Sequence, residues 1–169
     1  GIAMCNDPIE PSLYEKYDVK RGLRNANGTG VLVGLTSIGD VVGYEVKDGK
    51  KIAIPGRLIY RGYNVEDLVK DAEQHNQFGY EQAVYLLLFG ELPTQERLDN
   101  FRAYLGELRT LPANFTEDMI MKAPSSDIMN KLARGVLASY SYDQNPEDRS
   151  FQNILRQCIE LISRFGTLT

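Results

Sequence analysis

The chain has 169 residues, a formal net charge of −4, 43% hydrophobic residues and 25% charged residues. These values fit one globular domain and exclude an intrinsically disordered chain. The acidic balance predicts no nucleic-acid partner, and apolar runs such as Tyr85–Phe89 are too short to cross a bilayer, which predicts no membrane partner.

The first 30 residues are polar and are interrupted by prolines and glycines: Pro8, Pro11, Gly22, Gly28 and Gly30. We predict an N-terminal arm over residues 1–30, with a short helix near Ser12–Lys20. Acidic residues and prolines stand where a signal peptide needs a basic start and an apolar core, which predicts a cytoplasmic protein. The stretch 28–34 resembles a dinucleotide-binding loop only superficially, since its glycine spacing is one residue too long and no strand precedes it.

Residues 31–62 change to short β-branched runs, which predict three or four small strands. The runs are separated by Gly39-Asp40, Asp48-Gly49 and Pro55-Gly56, and they read VLVGL at 31–35, VVGYEV at 41–46, KIAI at 51–54 and RLIY at 57–60. Asp48-Gly49 is typical of a type I′ hairpin turn, because both central residues of that turn take positive φ. We therefore predict a small N-terminal antiparallel hairpin or meander.

From residue 63 to residue 169 the hydrophobic period is helical, so the predicted fold is mainly α and multi-helical. Asn64 is predicted to cap the first helix of this part, with Asp67 near the positive end of its dipole. The next helix covers about Tyr80–Phe89 and ends at Gly90, because glycine takes the left-handed conformation that closes a helix at little cost. Thr94 caps a further helix whose apolar side chains share one face: Leu98, Phe101, Leu105 and Leu108.

Three more helices are predicted before Thr169. A short one runs from Thr116 to about Lys122, and Ser125 or Ser126 caps the next, whose predicted inner face is Ile128, Met129, Leu132, Val136, Leu137 and Tyr140. The last begins at about Glu147 and has a predicted inner face of Phe151, Ile154, Leu155, Cys158, Ile159, Ile162 and Phe165. Gly166 can end this helix, but no element follows it, so the chain reads as cut rather than finished.

Few residues are suited to acid–base or metal chemistry. His75, the only histidine, lies in a polar helix end, where a cation suits the negative end of the dipole. Cys5 and Cys158 are far apart, and Cys158, on an apolar helix face, is interpreted as a reduced core thiol. We predict no metal site, because these residues cannot supply three or four ligands. Asp143-Gln144-Asn145 starts like a calcium loop but lacks its glycine and glutamate, and is interpreted as a helix–helix turn.

Arginines are the remaining candidates for ligand binding. Arg61 lies at a strand-to-helix corner next to Gly62, where it can hold the negative end of a helix or reach a phosphate group of a ligand. Arg149, near the start of the last helix, has a solvated or capping role or a ligand-binding one. Arg61 and Arg149 are therefore the cofactor-binding candidates, and both interpretations of each stay open.

Four motifs together carry a family resemblance. In chain order they are LIYRGYNVEDL at 58–68, YLLLFGELPT at 85–94, the helix over 127–142 with Tyr142-Asp143 at its end, and Leu161-Ile162-Ser163-Arg164 with Thr167. From about Gly22 to Thr169 this order is similar to citrate synthase, specifically to the N-terminal portion of its large domain. The sequence has Ala123-Pro124-Ser125-Ser126 where the family commonly has His-Pro-Met, and Gly166 where the family has a proline, and residues 40–56 resemble an inserted hairpin.

The resemblance implies a multi-helical homodimeric enzyme that condenses acetyl-CoA with oxaloacetate to citrate and CoA. It implies an aspartate that takes a proton from the acetyl methyl group, histidines that stabilise the enol and bind the oxaloacetate carbonyl, and arginines that hold carboxylates. None of these has a matching position here, so no catalytic residue is assigned to this chain, which is expected to be inactive alone. Acetyl-CoA is expected only as a co-substrate of the full-length enzyme, without a tightly bound cofactor.

The resemblance also implies a dimer interface through the helices near 126–142 and 148–169, although an intramolecular core explains their apolar faces equally well. Two other interpretations stay open. One is a 2-methylcitrate synthase that uses propionyl-CoA, and the other is a stand-alone helical interaction module without catalysis. The predicted domain order is an arm over 1–30, a β region over 31–62 and an incomplete helical part over 63–169.

Overall fold

A computed structural model of the chain describes residues 9–17, 19, 31–32 and 34–169. The described part is mainly helical with a small three-stranded antiparallel sheet, which confirms the predicted fold class. Most of the predicted arm over 1–30 lies outside the described residues, as do Cys5 and the glycines of the 28–30 stretch. The elements in chain order are α1 (Ser12–Lys16), β1 (Gly39–Lys47), β2 (Lys50–Tyr60), β3 (Tyr63–Asn64), α2 (Val65–Gln74), α3 (Tyr80–Phe89), α4 (Gln95–Glu107), α5 (Ile128–Ser139) and α6 (Phe151–Leu168).

The hairpin turn is formed where the sequence predicts it. β1 and β2 pair antiparallel from Gly39–Tyr60 to Lys47–Lys50. Between the strands Asp48 has φ 49° and Gly49 has φ 74°, the positive values of a type I′ turn. Asp48-Gly49 therefore fixes which residues of β1 and β2 face each other.

Two strand predictions are wrong. The residues of 31–35 that the structure describes form no strand. The runs at 51–54 and 57–60 belong to one strand, because β2 continues through Pro55-Gly56. The pairing register shifts between Val42 and Tyr44, so that residues 54–56 lie opposite Gly43 alone. This irregularity accommodates Pro55, which has no N–H for the ladder, without ending the strand.

The predicted ends of the first two long helices are confirmed. Asn64 caps α2, and its side chain accepts a hydrogen bond from the backbone N–H of Glu66 at 3.2 Å. α3 covers Tyr80–Phe89 and ends at Gly90, which has φ 81° and donates its N–H to the Leu86 carbonyl at 2.8 Å. The apolar face of α4 is also buried at Leu98, Phe101 and Leu105.

The chain divides into two compact units, residues 1–98 and 99–169. In the first unit α2 and α3 both contact β2. Leu86 of α3 is completely buried, and the rings of Tyr85 and Phe89 lie 4.5 Å apart between centroids. The core of this unit is therefore built mainly on α3, the most apolar helix of the sequence.

In the second unit Phe115 is the completely buried anchor, and its ring centroid lies 5.3 Å from that of Tyr142. Residues 116–121 form a wide helical turn, in which the Lys122 N–H bonds to the Glu117 carbonyl, five residues back, at 3.2 Å. This turn confirms the predicted short helix. α5 packs against α6, and a Cβ at Gly135 would lie 3.4 Å from the Leu168 side chain.

The predictions for α5 need two corrections. Its cap is Asp127, whose carboxylate accepts from the Asn130 N–H at 2.9 Å, rather than Ser125 or Ser126. An anionic cap also interacts favourably with the positive end of the helix dipole. Most of the predicted inner face is exposed: Ile128, Met129, Leu137 and Tyr140. Hydrophobic period alone cannot tell whether an apolar face packs inside the chain or stays open.

α6 also departs from its predicted limits. It begins at Phe151, four residues after Glu147, because the preceding residues form turns around the Asp148 and Ser150 side chains. It continues through Gly166 to Leu168 rather than ending at Gly166. Ile159 and Ser163 are buried, whereas the predicted inner residues Phe151, Ile154 and Phe165 are exposed. In the described part of the chain, no helix combines the length and apolar character needed to cross a bilayer.

Candidate functional site

Arg61 lies in the turn between β2 and β3. Tyr60 pairs with Tyr63, so Arg61 and Gly62 form a second two-residue hairpin turn, with φ values of 48° and 88°. Its backbone N–H donates to the Ile38 carbonyl at 2.8 Å. A positive φ is uncommon for a residue with a Cβ, and the paired strands on both sides keep Arg61 in it.

The Arg61 side chain reaches the end of a helix. Its Nη2 donates to the Leu87 carbonyl, in the last turn of α3, at 3.2 Å. The carbonyls in the last turn of a helix lack helical partners and carry the negative end of the dipole. A guanidinium that donates to one of them therefore stabilises the helix end. The geometry agrees with the first of the two interpretations of Arg61, and its contact with a ligand phosphate stays a prediction.

Arg149 is exposed and lies in the second unit, immediately before Ser150, the cap of α6. This position fits a solvated side chain, and its role toward a ligand also stays a prediction.

His75 ends α2 as its C-terminal cap, with Nδ1 2.8 Å from the Asp71 carbonyl. Cys158 is only partly buried on α6. Within residues 9–17, 19, 31–32 and 34–169, no cluster of three or more His, Cys, Asp or Glu could hold a metal ion.

The most developed polar cluster, which the sequence did not predict, joins the turn after α5 to α6. Nη2 of Arg156 donates to both carboxylate oxygens of Asp143 at 2.7 and 2.8 Å, and its Nη1 donates to Glu160 at 2.9 Å. Arg164 donates to the same carboxylate of Glu160 at 3.1 Å. The sequence does contain one indication of this cluster: Arg156, Glu160 and Arg164 follow one another at four-residue intervals and therefore share one helix face.

The Asp143 carboxylate is well supplied with donors. It accepts from the Asn145 N–H at 2.9 Å and from the Gln157 amide at 2.9 Å, besides Arg156. The Asn145 N–H, and after it Gln157 and Arg156, hold the pKa of Asp143 below its usual value. A carboxylate with a lowered pKa is a poor proton acceptor, so this cluster is suited to holding the turn rather than to acid–base catalysis.

A cavity of about 510 Å³ lies beside the cluster. Its wall includes the charged side chains of Asp143, Arg156, Glu160 and Arg164, together with Tyr140 and Tyr142. Two arginines face two carboxylates there, and neither a histidine nor a cysteine is among the lining residues. The cavity therefore offers polar and aromatic groups, and its one serine hydroxyl, on Ser139, donates to the Gly135 carbonyl at 2.8 Å.

An exposed apolar face on α5 is the second notable feature of this unit. Met129 is 75% exposed, Leu137 76% and Tyr140 55%, although methionine and leucine usually lie inside. Met129, Ala133 and Leu137 follow one another at four-residue steps and therefore share a helix face. Exposed apolar patches on soluble proteins often mark binding surfaces.

Comparison with known proteins gives consistent results. The family model described as "Citrate synthase, C-terminal domain" matches residues 23–169. The citrate synthase of Saccharolobus solfataricus is 31% identical over 150 residues, which cover 89% of this chain and 34% of that protein. The 2-methylcitrate synthase 1 of Corynebacterium glutamicum is 36% identical over 98 residues, which cover 57% of this chain and 24% of that protein.

Two solved structures share the fold. Citrate synthase from Thermoplasma acidophilum, in a ternary complex with carboxymethyl coenzyme A and oxaloacetate, aligns with a TM-score of 0.60 and 21% identity over 80% of this chain and 32% of that one. Citrate synthase from Pyrobaculum aerophilum aligns with a TM-score of 0.59 and 24% identity over 86% of this chain and 36% of that one. The chain thus spans about a third of the length of these relatives.

Proposed function

The chain belongs to the citrate synthase family, and we propose that it forms part of an enzyme that condenses acetyl-CoA with oxaloacetate to citrate and CoA. The observation that carries the proposal is the family match over residues 23–169. The structural neighbour in complex with a coenzyme A derivative and oxaloacetate supports the same substrates. Acetyl-CoA is proposed as a co-substrate of the whole enzyme and not as a bound cofactor.

We propose that the catalytic groups lie outside these 169 residues and that the chain is inactive by itself. His75 supports this, because it is exposed and bonds to the end of its own helix. Asp143, one of the two carboxylates of the polar cluster, accepts four hydrogen bonds within the protein. The proposed domain order is the arm over 1–30, the β region over 31–62 and the incomplete helical part over 63–169.

The position of the chain within its relatives is also a proposal. The order of the four sequence motifs favours the N-terminal portion of the large domain, whereas the matching family model carries the description "C-terminal domain". An alignment of the complete coding sequence with a full-length relative decides which portion of the family's large domain the chain covers. We propose a cytoplasmic location, because Cys158 is a free thiol and cysteines are kept reduced in the cytosol.

We propose a homodimer that uses the helices near 126–142 and 148–169. The support is the exposed apolar face of α5, together with the exposed Phe151, Ile154 and Phe165 of α6. In a twofold homodimer each subunit contributes the same surface patch to the interface. Such interfaces are more apolar than the rest of a protein surface. Two exposed apolar helix faces in one unit fit that description.

The test begins with the coding sequence beyond Thr169. The complete protein is then assayed for release of free CoA from acetyl-CoA in the presence of oxaloacetate, with the 169-residue chain at equal concentration as the matched control. We expect activity in the complete protein and none in the chain. A complete protein that releases no CoA above background refutes the enzyme proposal, and activity in the chain alone refutes the assignment of catalysis to other residues.

The acyl group is the point on which the relatives differ, because some are citrate synthases and others 2-methylcitrate synthases. Parallel assays with acetyl-CoA and propionyl-CoA measure kcat/KM for each. We expect the higher value with acetyl-CoA, and a higher value with propionyl-CoA establishes the alternative. A protein that folds and self-associates but accepts neither acyl-CoA fits the interaction-module interpretation instead.

A further inference from the structure

Lys131 makes an unusual set of hydrogen bonds. Its Nζ lies 2.6 Å from the Ala123 carbonyl oxygen, 3.1 Å from that of Ile120 and 3.3 Å from that of Met119. A lysine ammonium has three N–H donors, and here each of them has a main-chain acceptor. The three carbonyls therefore complete the hydrogen bonding of this ammonium without any carboxylate in the set.

The acceptors belong to the end of the wide helical turn over 116–121 and to the segment that follows it. The last carbonyls of a helical segment have no partner inside the helix, and they carry the negative end of its dipole. Partly buried carbonyls of this kind need donors, because an unsatisfied buried carbonyl destabilises the fold. The Ile120 and Ala123 bonds are both partly buried.

The position of Lys131 in its own helix is otherwise unfavourable. It is the fourth residue of α5, close to the positive end of the helix dipole, where acidic residues are preferred. Asp127 caps the same helix, and Nη1 of Arg134 lies 3.5 Å from the Ala123 carbonyl. The carbonyl cluster therefore explains a lysine at a position that helix electrostatics disfavours.

We propose that the carbonyls of Met119, Ile120 and Ala123 form a binding site for a primary ammonium group, which this chain fills from within by Lys131. The tethered cation holds the 116–123 segment to the start of α5. The site selects a small cation with N–H donors at one end, because three carbonyls converge on one point. A bulky quaternary ammonium has no N–H to donate and does not fit that geometry.

The test removes the lysine and supplies its head group in solution. Lys131→Ala keeps a strong helix former at the position and vacates the site. The amides of Asp118 and Lys122 donate to the Asn114 and Glu117 carbonyls, and we expect them to exchange with deuterium at least tenfold faster than in the parent chain. Butylammonium chloride should slow that exchange at least threefold, whereas tetramethylammonium chloride at equal ionic strength should not.

The matched control is Lys122→Ala. Lys122 lies in the same segment, but its ammonium pairs with the exposed carboxylate of Asp118 rather than with carbonyls. This variant should respond equally to the two ammonium salts. Unchanged exchange at Asp118 in Lys131→Ala, or equal effects of both salts on that variant, overturns the proposal.

Discussion

Arg61 and Leu87 are joined across 26 positions of the chain by a hydrogen bond of 3.2 Å from the guanidinium to the carbonyl. One partner lies in a two-residue turn and the other in the last turn of α3, so the bond ties the hairpin to the helix that forms the core of its unit. The same arginine is held at φ 48°. Its side chain and its backbone can therefore be tested separately.

Arg61→Asn removes the guanidinium and keeps a residue that tolerates positive φ. We expect a loss of about 1–2 kcal/mol in the free energy of unfolding, as is typical when a hydrogen bond to a charged group is removed. Urea denaturation measures it. Asp48→Asn is the matched control, because it places asparagine at φ 49° in the other hairpin turn, and its stability should change by less than about 0.5 kcal/mol. Equal losses in both variants would show that the contact with Leu87 contributes nothing.

Gly90 and Gly166 should respond to alanine in opposite directions. Gly90→Ala puts a Cβ at φ 81°, which should lower the melting temperature and cost about 1 kcal/mol. Gly166→Ala lies inside α6 with open space around the added Cβ, and should stabilise the chain by up to about 1 kcal/mol. Thermal unfolding of both variants checks the signs, and a stabilising Gly90→Ala contradicts the left-handed end of α3.

Asp143 should make stability depend on pH in the acidic range. The pKa of Asp143 is lower in the folded chain than in the unfolded chain, where it is about 3.9. The ionised carboxylate therefore stabilises the fold above the unfolded pKa, and this stabilisation is lost as the pH falls through the folded pKa. Asp143→Asn should cost about 1–3 kcal/mol at neutral pH and flatten the stability profile below about pH 4. Urea denaturation from pH 3 to pH 7 measures both effects. Parallel profiles for the variant and the parent chain would contradict the assignment.

Leu137 tests the proposed dimer face. Leu137→Lys places a charge in the centre of the exposed apolar face of α5, and we expect it to weaken self-association at least tenfold, since a buried unpaired charge is costly. Sedimentation equilibrium measures the association constant. Val69→Lys on α2, where the valine is 51% exposed, adds the same charge elsewhere and should leave association unchanged. A concentration series in which the parent chain stays monomeric refutes the interface for this chain.

Local signals in the sequence predicted local structure well. Tyr80–Phe89 with Gly90, and Asp48-Gly49, were correct to the residue because each depends on a backbone conformation that one residue type favours. The exposed side of α5 was not predictable, because periodicity locates an apolar face without showing what covers it. The Arg156–Asp143 pair was missed for a related reason, since residues 13 positions apart meet only through the packing of a turn onto a helix.

The register irregularity in the hairpin has a consequence for how the chain behaves at high concentration. β1 is an edge strand with exposed Val41 and Val46, and a straight edge of that kind is a template for stacking into fibrils. The shift between Val42 and Tyr44 interrupts the regular pattern of the pairing, and Lys47 adds a charge at the end of the strand. We therefore expect Pro55-Gly56 to protect the exposed ribbon against fibril growth, and we expect an engineered hairpin without that irregularity to lose this protection.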